Sequence, residues 1–330
     1  MQIVNTALTL KDLPPPPPGK SGWPWTEENQ PLPARMSDGS EWPRISIVTP
    51  SYNYGHFIEE TIRSVLLQGY PNLEYIVIDG GSTDNSVEII QKYEKYLSYW
   101  ISQPDAGQTD AINKGYSKCT GDVFVWLNSD DSYINFNSLK AVAEAYVLGY
   151  KLIAGQCLNV YDDGTEIVIN PIPISFVRYL KFWLHPGLSA FPQASVFVAK
   201  EITDKCFPLD KDLSLLMDYQ MFLRVLSHRP KSIYINQIWT RIKYHGQNKT
   251  SLNNDLTEIY QVFYSESKKL SFVSRKLLEI DAEDFRVIDG LMQNKLNLTK
   301  DALTALISRP SIARWPRLWK MLIKFWLGKL

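Results

Sequence analysis

The sequence has few cysteines, no surplus of charge and no long apolar run. The three cysteines, Cys119, Cys157 and Cys206, are widely spaced and form no C-x-x-C motif, which argues against disulfides and a thiolate zinc site and favours a reducing cytosol. Equal numbers of basic and acidic residues, 35 of each, argue against a nucleic-acid binder. Neither a run of about 18 apolar residues nor a signal-peptide pattern is present.

Two phosphate-binding motifs are also missing. The chain has no P-loop lysine motif, and no G-x-G-x-x-G follows the first predicted strand, so ATPase and dinucleotide-binding functions lack their phosphate cradle. What is present is a globular composition, with 45% hydrophobic and 21% charged residues among 330. This length favours about two domains.

The pattern along the chain predicts three segments. Residues 1–43 form a proline-rich arm, including the run Pro14–Pro18, and such a segment cannot build a core alone. We interpret it as a spacer, with a proline-motif ligand as the alternative. Residues 44–255 form an α/β domain, and residues 256–330 a helical extension.

Within the α/β domain, short β-branched runs alternate with segments of helical periodicity. Predicted strands lie at 45–49, 75–78, 99–102, 123–127, 152–160, 166–169, 194–198 and 232–235, and predicted helices at 58–68, 87–96, 109–118, 139–148 and 215–227. This alternation predicts a mostly parallel sheet with helices on both faces.

Polar clusters follow three of these strands: Pro50–Asn53, Asp79–Asp84 and Asn128–Asp131. Each cluster could be a turn followed by a helix cap. Their coincidence at the carboxyl edge of a parallel sheet predicts a ligand site, because ligands bind outside that edge. The cluster Asn128–Asp131 suits Mg²⁺ or Mn²⁺, which prefer carboxylate oxygen, although an Asx turn ending a strand explains this short string as well.

Four strings together resemble the inverting glycosyltransferases of family two, which have the GT-A fold. They are ISIVTPSYN, YIVIDGGSTDNSVEII, YWISQPDAGQTDAINKG and GDVFVWLNSDD, and the resemblance continues more weakly to about Ser251. It implies transfer of a sugar from a nucleotide-diphosphate donor, with UDP favoured and GDP and dTDP open, to a saccharide or lipid-linked saccharide. It also implies inversion of the anomeric centre and assistance by Mn²⁺ or Mg²⁺.

The resemblance also implies a set of donor-binding residues. The family's aspartate after the second strand accepts a hydrogen bond from the base, which would be Asp79 here. Many members carry an arginine where this chain has Ile112, and Lys114 is a possible replacement. The full donor-binding set is Pro50, Tyr52, Asn53, Asp79, Asp105, Asp110, Asn113, Lys114, Asn128, Asp130 and His245.

The same resemblance implies roles for the remaining site residues. Asp130 and Asp131 would hold the metal, with Asn128 at the first position of the D-x-D motif, and which of the two ligates directly stays open. Asp218 occupies the position of the general base, although it could instead cap a helix. Gln193 resembles an acceptor-side residue. His245 would close over the diphosphate, or it is an ordinary loop residue.

The last predicted helix has two interpretations of equal weight. Residues 314–330 mix basic residues with Trp and Leu, and Leu318, Leu322, Phe325 and Trp326 can share one helical face. This face would lie in an anionic membrane interface, or it would dock on the rest of the chain. We therefore expect a cytoplasmic protein, with peripheral contact at the inner membrane as the alternative.

Two other functions compete with a glycosyltransferase. A sugar-nucleotide nucleotidyltransferase would carry a glycine-rich basic loop after the first strand, and PSYNYGHF lacks it. A catalytically inactive scaffold or saccharide-binding subunit of a polysaccharide-assembly complex would have no reason to keep Asp79, Asp130, Asp131 and Asp218 together.

Overall fold

The computed structural model describes residues 7–134, 137–181, 191–246, 248, 257–293, 302, 304–306 and 308–326. The chain divides into two compact units. The first, which we call the sheet unit, comprises residues 1–182 and 187–255, and the second, the helical unit, comprises residues 183–186 and 256–330.

Strands and helices alternate in the sheet unit, as the sequence pattern predicts. The strands are β1 (Ile45–Ser51), β2 (Leu73–Asp79), β3 (Tyr99–Ser102), β4 (Val123–Trp126), β5 (Ser132–Tyr133), β6 (Leu152–Tyr161), β7 (Glu166–Ile169), β8 (Val196–Ala199) and β9 (Ser232–Tyr244). The helices are α1 (Ile58–Leu66), α2 (Ser86–Tyr93), α3 (Gln108–Tyr116), α4 (Ser138–Val147), α5 (Phe176–Leu180), α6 (Lys200–Thr203) and α7 (Met217–Ser227).

Within the described residues, these nine strands form one sheet in the order β3-β2-β1-β4-β8-β6-β9-β5, with β7 paired to β6. The first four are parallel, β8 is antiparallel to both β4 and β6, and β9 is parallel to β6. The prediction of a mostly parallel sheet is therefore confirmed. Because β8 runs opposite to both β4 and β6, strands β6 and β9 run in the same direction as β4. Their carboxyl ends therefore lie at the same edge as those of β1, β2 and β4.

Close packing of helix α3 across the sheet depends on a glycine. A Cβ atom added to Gly115 would lie 2.4 Å from Cγ1 of Val48 on β1, so a larger residue would push the helix away. On the opposite face, alternate residues such as Ile45, Ile47 and Val123 belong to a buried apolar cluster that also includes Ile62 of α1. Burial on both faces explains why apolar residues occupy consecutive positions in these strands, such as Ile47 and Val48 of β1.

Strand β9 is much longer than predicted. The sequence pattern indicates residues 232–235, whereas the strand runs to Tyr244 and carries a pairing irregularity opposite the segment Ala154–Cys157. Its second half is half-buried and includes Arg241 and Lys243. Polar residues on a half-exposed strand break the apolar run that signals a strand in sequence.

The proline-rich arm lies against the sheet unit from residue 7 onward. Leu13 and Trp42 belong to the apolar cluster. Arg63 of α1 is completely buried, and its guanidinium donates hydrogen bonds to the carbonyl oxygens of Pro14 (2.8 Å), Pro24 (3.0 Å) and Trp25 (3.1 Å). The arm is thus packed against the sheet unit and is not a free spacer, because its carbonyl groups accept hydrogen bonds from Arg63 of α1.

The helical unit contains α8 (Thr257–Ser267), α9 (Phe272–Gln293), a 3₁₀ turn (Pro310–Arg314) and α10 (Pro316–Trp326). Leu318 and Leu322 of α10 are buried with Ala302 and Ile312, so this part of the predicted apolar face docks within the unit. The side chains of Phe325 and Trp326 lie outside the described residues. No helix that the structure describes is long and apolar enough to cross a membrane.

Candidate functional site

A cleft of about 780 Å³ opens at the carboxyl edge of the sheet. It is bordered by the segments that follow β1, β2 and β4, by the end of β9 and by the start of α7. Of the residues predicted from sequence, those that line the cleft are Pro50, Tyr52, Asp105, Asn128, Asp130, Asp131, Gln193 and Asp218. The three polar clusters therefore meet at one edge, as parallel strands require.

Asp130 and Asp131 place two neighbouring carboxylates in a desolvated part of the cleft. Asp131 is 3% exposed. Burial, and then the charge of Asp130, raise the pKa of Asp131 well above its usual value. Burial also raises the pKa of Asp130, against the opposing effect of His245 and Lys243. Burial therefore disfavours the charged form of both carboxylates, and the cations of the chain only partly offset this cost.

A chain of amide hydrogen bonds fixes Asp131. Gln108 Nε2 at the start of α3 donates to Asn128 Oδ1 at 2.8 Å, and Asn128 Nδ2 donates in turn to Asp131 Oδ2 at 3.3 Å. Because the first bond holds the amide oxygen, the amide nitrogen must point toward the carboxylate. An asparagine at this position therefore adds a donor where an aspartate would add a third negative charge.

His245 and Asn248, which follow β9 in the chain, hold Asp130. His245 Nε2 lies 3.3 Å from Asp130 Oδ2, and Asn248 Nδ2 donates to the same oxygen at 3.1 Å. The His245 ring stacks on Phe57, with centroids 4.7 Å apart. His245 does not line the cleft itself, so the structure places it behind Asp130, on the continuation of the unexpectedly long strand β9.

Asp79 ends β2 and is completely buried. Its carboxylate accepts hydrogen bonds from the backbone N–H groups of Gly81 (3.1 Å) and Ser82 (2.9 Å) and from the hydroxyls of Ser82 and Ser102. It does not line the cleft. Its contact with a nucleobase stays a prediction, since the structure shows these four donors of the chain on its two oxygens.

Asn53 links the loop after β1 to the loop after β2. Its backbone N–H donates to Ser82 Oγ at 2.8 Å, and its side-chain oxygen accepts from the backbone N–H of Thr83 at 2.8 Å. Asn53 has φ of 56°, a left-handed conformation that asparagine tolerates better than most residues. The residue thus shapes the cleft wall beside Pro50 and Tyr52.

Three predicted residues of α3 stabilise the wall beside the cleft. Asp110 pairs with Lys211 Nζ at 2.8 Å and with Lys114 Nζ at 3.0 Å. The hydrogen bond from Lys211 is the main reason that the pKa of Asp110 falls to about 2. Asn113 binds both backbone groups of Leu209, at 2.8 and 2.9 Å. None of the three lines the cleft, and together they anchor the segment that leads to α7.

Asp218 lies in the first turn of α7 and not at its N-cap, which is Leu216. Its Oδ1 accepts a hydrogen bond from the backbone N–H of Tyr219 at 2.7 Å, and a helix N-terminus stabilises a carboxylate. Gln193 Nε2 donates to the carbonyl oxygen of Trp126 at 2.6 Å, which ties the loop before β8 to the end of β4.

Sequence reasoning missed several residues of the site. Gln108 lies inside one of the four strings that carry the resemblance, and Asn248 lies in its weaker continuation. Only their hydrogen bonds to Asn128 and Asp130 mark them as site residues. Tyr244 lines the cleft and stacks on Tyr161 at 4.7 Å. This pair joins the carboxyl ends of β6 and β9, which the short predicted strand at 232–235 could not bring together.

A cleft at the carboxyl edge of a mostly parallel sheet defines the class of α/β proteins that bind ligands at their strand ends. The model of the family "Glycosyl transferase family 2" matches residues 46–207. An uncharacterised glycosyltransferase of Mycobacterium tuberculosis is 31% identical over 186 residues, which cover 55% of this chain and 68% of the relative. The chain therefore belongs to glycosyltransferase family 2, and its activity is that of a nucleotide-sugar glycosyltransferase.

Two further proteins are similar over different spans. A Bacillus subtilis protein named as a putative teichuronic acid biosynthesis glycosyltransferase is 37% identical over 136 residues, covering 38% of this chain and 51% of the relative. The crystal structure of S. aureus TarS 1–349 in complex with UDP-GlcNAc matches with a TM-score of 0.56 at 15% identity, covering 86% of this chain and 80% of that chain. At this identity the likeness supports the GT-A fold alone, which confirms the predicted fold class.

Proposed function

We propose that the chain transfers a sugar from a nucleotide diphosphate, with UDP favoured, to a saccharide or lipid-linked saccharide, and that the transfer inverts the anomeric centre. The observation that carries the proposal is the convergence of Asp130, Asp131 and Asp218 on one cleft. The first two suit the charged diphosphate end of a donor, and the third suits an acceptor hydroxyl. The UDP-GlcNAc complex of the structurally similar TarS supports UDP as the first nucleotide to test.

The residues at the diphosphate end fit a hard divalent cation. Asp130 and Asp131 supply carboxylate oxygens, whose pKa values are raised by burial, and Mn²⁺ or Mg²⁺ would compensate their charge. In the described part of the chain, no three acidic, histidine or cysteine side chains are arranged to hold a metal unaided. Donor phosphates and water would therefore complete the coordination. A bound cation would offset the charge that develops on the leaving diphosphate.

Asp218 is the proposed general base. As the acceptor oxygen bonds to the anomeric carbon, the bond from that carbon to the diphosphate oxygen breaks, and the diphosphate keeps the electron pair. The acceptor hydroxyl loses its proton in the same step, and the Asp218 carboxylate receives it. The hydrogen bond from the Tyr219 N–H orients the carboxylate for this transfer.

The acceptor side of the cleft suits a saccharide. Phe191, Tyr244 and Ile169 line it together with Gln193 and Asp218. Aromatic faces pack against the apolar faces of sugar rings, while a few polar groups fix orientation. A nucleotidyltransferase is set aside by the family assignment.

The test exchanges Asp218 for asparagine, with Asp212→Asn as the matched control on an exposed residue of the preceding loop. Release of UDP from UDP-GlcNAc, with water as acceptor, should fall by about 10²–10⁴-fold in Asp218→Asn. Binding of UDP with Mn²⁺, measured by calorimetry, should be preserved, and the control should match wild type in both assays. NMR should detect the inverted anomer of GlcNAc first. Retention of near wild-type UDP release by Asp218→Asn would remove the base assignment.

A further inference from the structure

We infer that helix α10 forms a docking surface for an anionic lipid bilayer, with the helix lying along the membrane interface. This inference does not depend on the proposed function. It rests on the exposed face of α10 and on the local charge of the sequence.

The helix buries only one of its apolar ridges. Leu318 and Leu322 are 0% and 5% exposed and pack inside the helical unit. Trp319 and Ile323, one helical turn apart on the adjoining ridge, are 44% and 53% exposed. The docking interpretation from sequence therefore accounts for the first pair, and it leaves the second pair in contact with water.

The exposed indole is held in place. Trp319 Nε1 donates to the carbonyl oxygen of Ala313 at 2.7 Å, so its polar atom is satisfied by the chain while the apolar ring faces outward. Exposed large apolar side chains placed side by side at fixed positions are typical of an interaction surface. Tryptophan in particular is enriched at the membrane interface.

Basic residues flank this apolar ridge. Lys320 and Lys324 follow Trp319 and Ile323 directly, and both lysines are exposed. Within the residues that the structure describes, neither lysine is paired with an acidic side chain. Residues 314–330 contain five basic residues and no acidic one. Since the whole chain has 35 of each sign, the other residues carry a net charge of 30 − 35, or −5.

This combination favours a lipid surface over other partners. Anionic headgroups complement the lysines, and the acyl boundary accepts Trp319 and Ile323, as expected for a helix that lies in the interface plane. At 11 residues, α10 is too short to span a bilayer. A nucleic acid would satisfy the lysines and leave the aliphatic Ile323 without a suitable partner.

The experiment is cosedimentation of the full-length chain with vesicles of equal parts phosphatidylcholine and phosphatidylglycerol, compared with phosphatidylcholine alone. We expect binding to the mixed vesicles that weakens with salt. Lys320→Gln with Lys324→Gln should weaken it roughly thirtyfold, since each lysine near an anionic surface contributes about a factor of five. Lys92→Gln with Lys95→Gln, also exposed, is the matched control and should bind as wild type.

The apolar contribution has its own pair of variants. Ile323→Ser should weaken vesicle binding roughly tenfold, whereas Leu148→Ser, at a residue 67% exposed in the sheet unit, should leave it unchanged. Equal binding to both vesicle types, or no response to the lysine changes, would overturn the inference. Equally tight binding to mixed-sequence duplex DNA, unaffected by Ile323→Ser, would also overturn it. The same holds if the chain binds no vesicles but self-associates, and Ile323→Ser abolishes the self-association.

Discussion

Replacing Asp131 by asparagine should stabilise the protein by itself and remove its response to metal and nucleotide. The amide has the size of the carboxylate and can still accept the hydrogen bond from Asn128 Nδ2, which spans 3.3 Å. The backbone N–H of Lys243, which also bonds to the Asp131 carboxylate, then loses its acceptor. The change therefore removes a buried charge beside Asp130 without opening a cavity. A buried charge that lowers the stability of the folded chain is expected at a binding site, where a ligand supplies the opposite charge.

The size of the gain follows from the charges around the pair. Two unit charges on neighbouring side chains repel by about 2–4 kcal/mol at an effective dielectric constant near 20. Lys243, the cation that lowers the pKa of both aspartates, offsets part of this repulsion. We therefore expect the free energy of unfolding to rise by about 1–2 kcal/mol at neutral pH, and Tm by about 2–4 °C.

The gain should depend on pH in a definite direction. Because burial and Asp130 raise the pKa of Asp131 above its ordinary value of 3.8, the folded protein keeps a proton that the unfolded chain releases. The contribution of Asp131 to the stability of wild type is therefore fully present below the ordinary pKa of 3.8. It is lost as the pH rises through the raised pKa of Asp131 in the folded protein. The advantage of Asp131→Asn should shrink as the pH falls toward that ordinary value.

Thermal unfolding with and without UDP and Mn²⁺ measures both effects. Ligand at about 100 times its Kd should stabilise wild type by about 2.7 kcal/mol, and it should leave Asp131→Asn almost unchanged, so the order of the two Tm values reverses. Asp163→Asn, in the exposed turn before β7, is the control and should respond to ligand as wild type does. A lower Tm for Asp131→Asn without ligand at neutral pH would refute the account of the carboxylate pair.

Two further changes test the walls of the cleft. Asp110→Asn should lower the free energy of unfolding by about 1–2 kcal/mol at neutral pH, after allowance for the exposed Lys211. The loss should vanish as the pH falls through the folded pKa of about 2, and denaturant titrations that show no pH dependence would contradict it. Gln108→Leu frees the Asn128 amide and should weaken calorimetric UDP binding with Mn²⁺ about 3–10-fold. Gln103→Leu, at an exposed residue, is its control, and equal affinities would contradict the amide chain.

The fold near the cleft could be predicted because its signals are local. Strands β1, β2 and β4 are buried on both faces, so each contains a short apolar run, and each leads into polar residues that the parallel arrangement brings to one edge. The position of Asp218 at this edge could not be predicted from such local signals. Nothing in its local sequence distinguishes a helix-cap aspartate from a cleft aspartate, and only the family resemblance indicated a catalytic role.

The half of the site beyond β4 was harder to predict. His245 and Asn248 reach Asp130 because β9 continues to Tyr244 and runs parallel to β6. The second half of β9 alternates poorly because it is only half-buried, and a pairing irregularity near Ala154 shifts its register. Hydrogen bonds such as that from Gln108 to Asn128 depend on this tertiary geometry and leave no periodic signal.

Arg63 shows why the arm could not be placed from sequence. In an amphipathic helix an arginine ordinarily faces water, yet Arg63 is completely buried. A buried guanidinium needs acceptors for its donors, and here they are three backbone carbonyls of the arm and the Tyr93 hydroxyl. Every residue has a backbone carbonyl, so no sequence motif indicates which carbonyls accept the hydrogen bonds of Arg63. Because α1 starts at Ile58, just after the cleft-lining Tyr54, the arm supports the cleft by fixing the helix behind it.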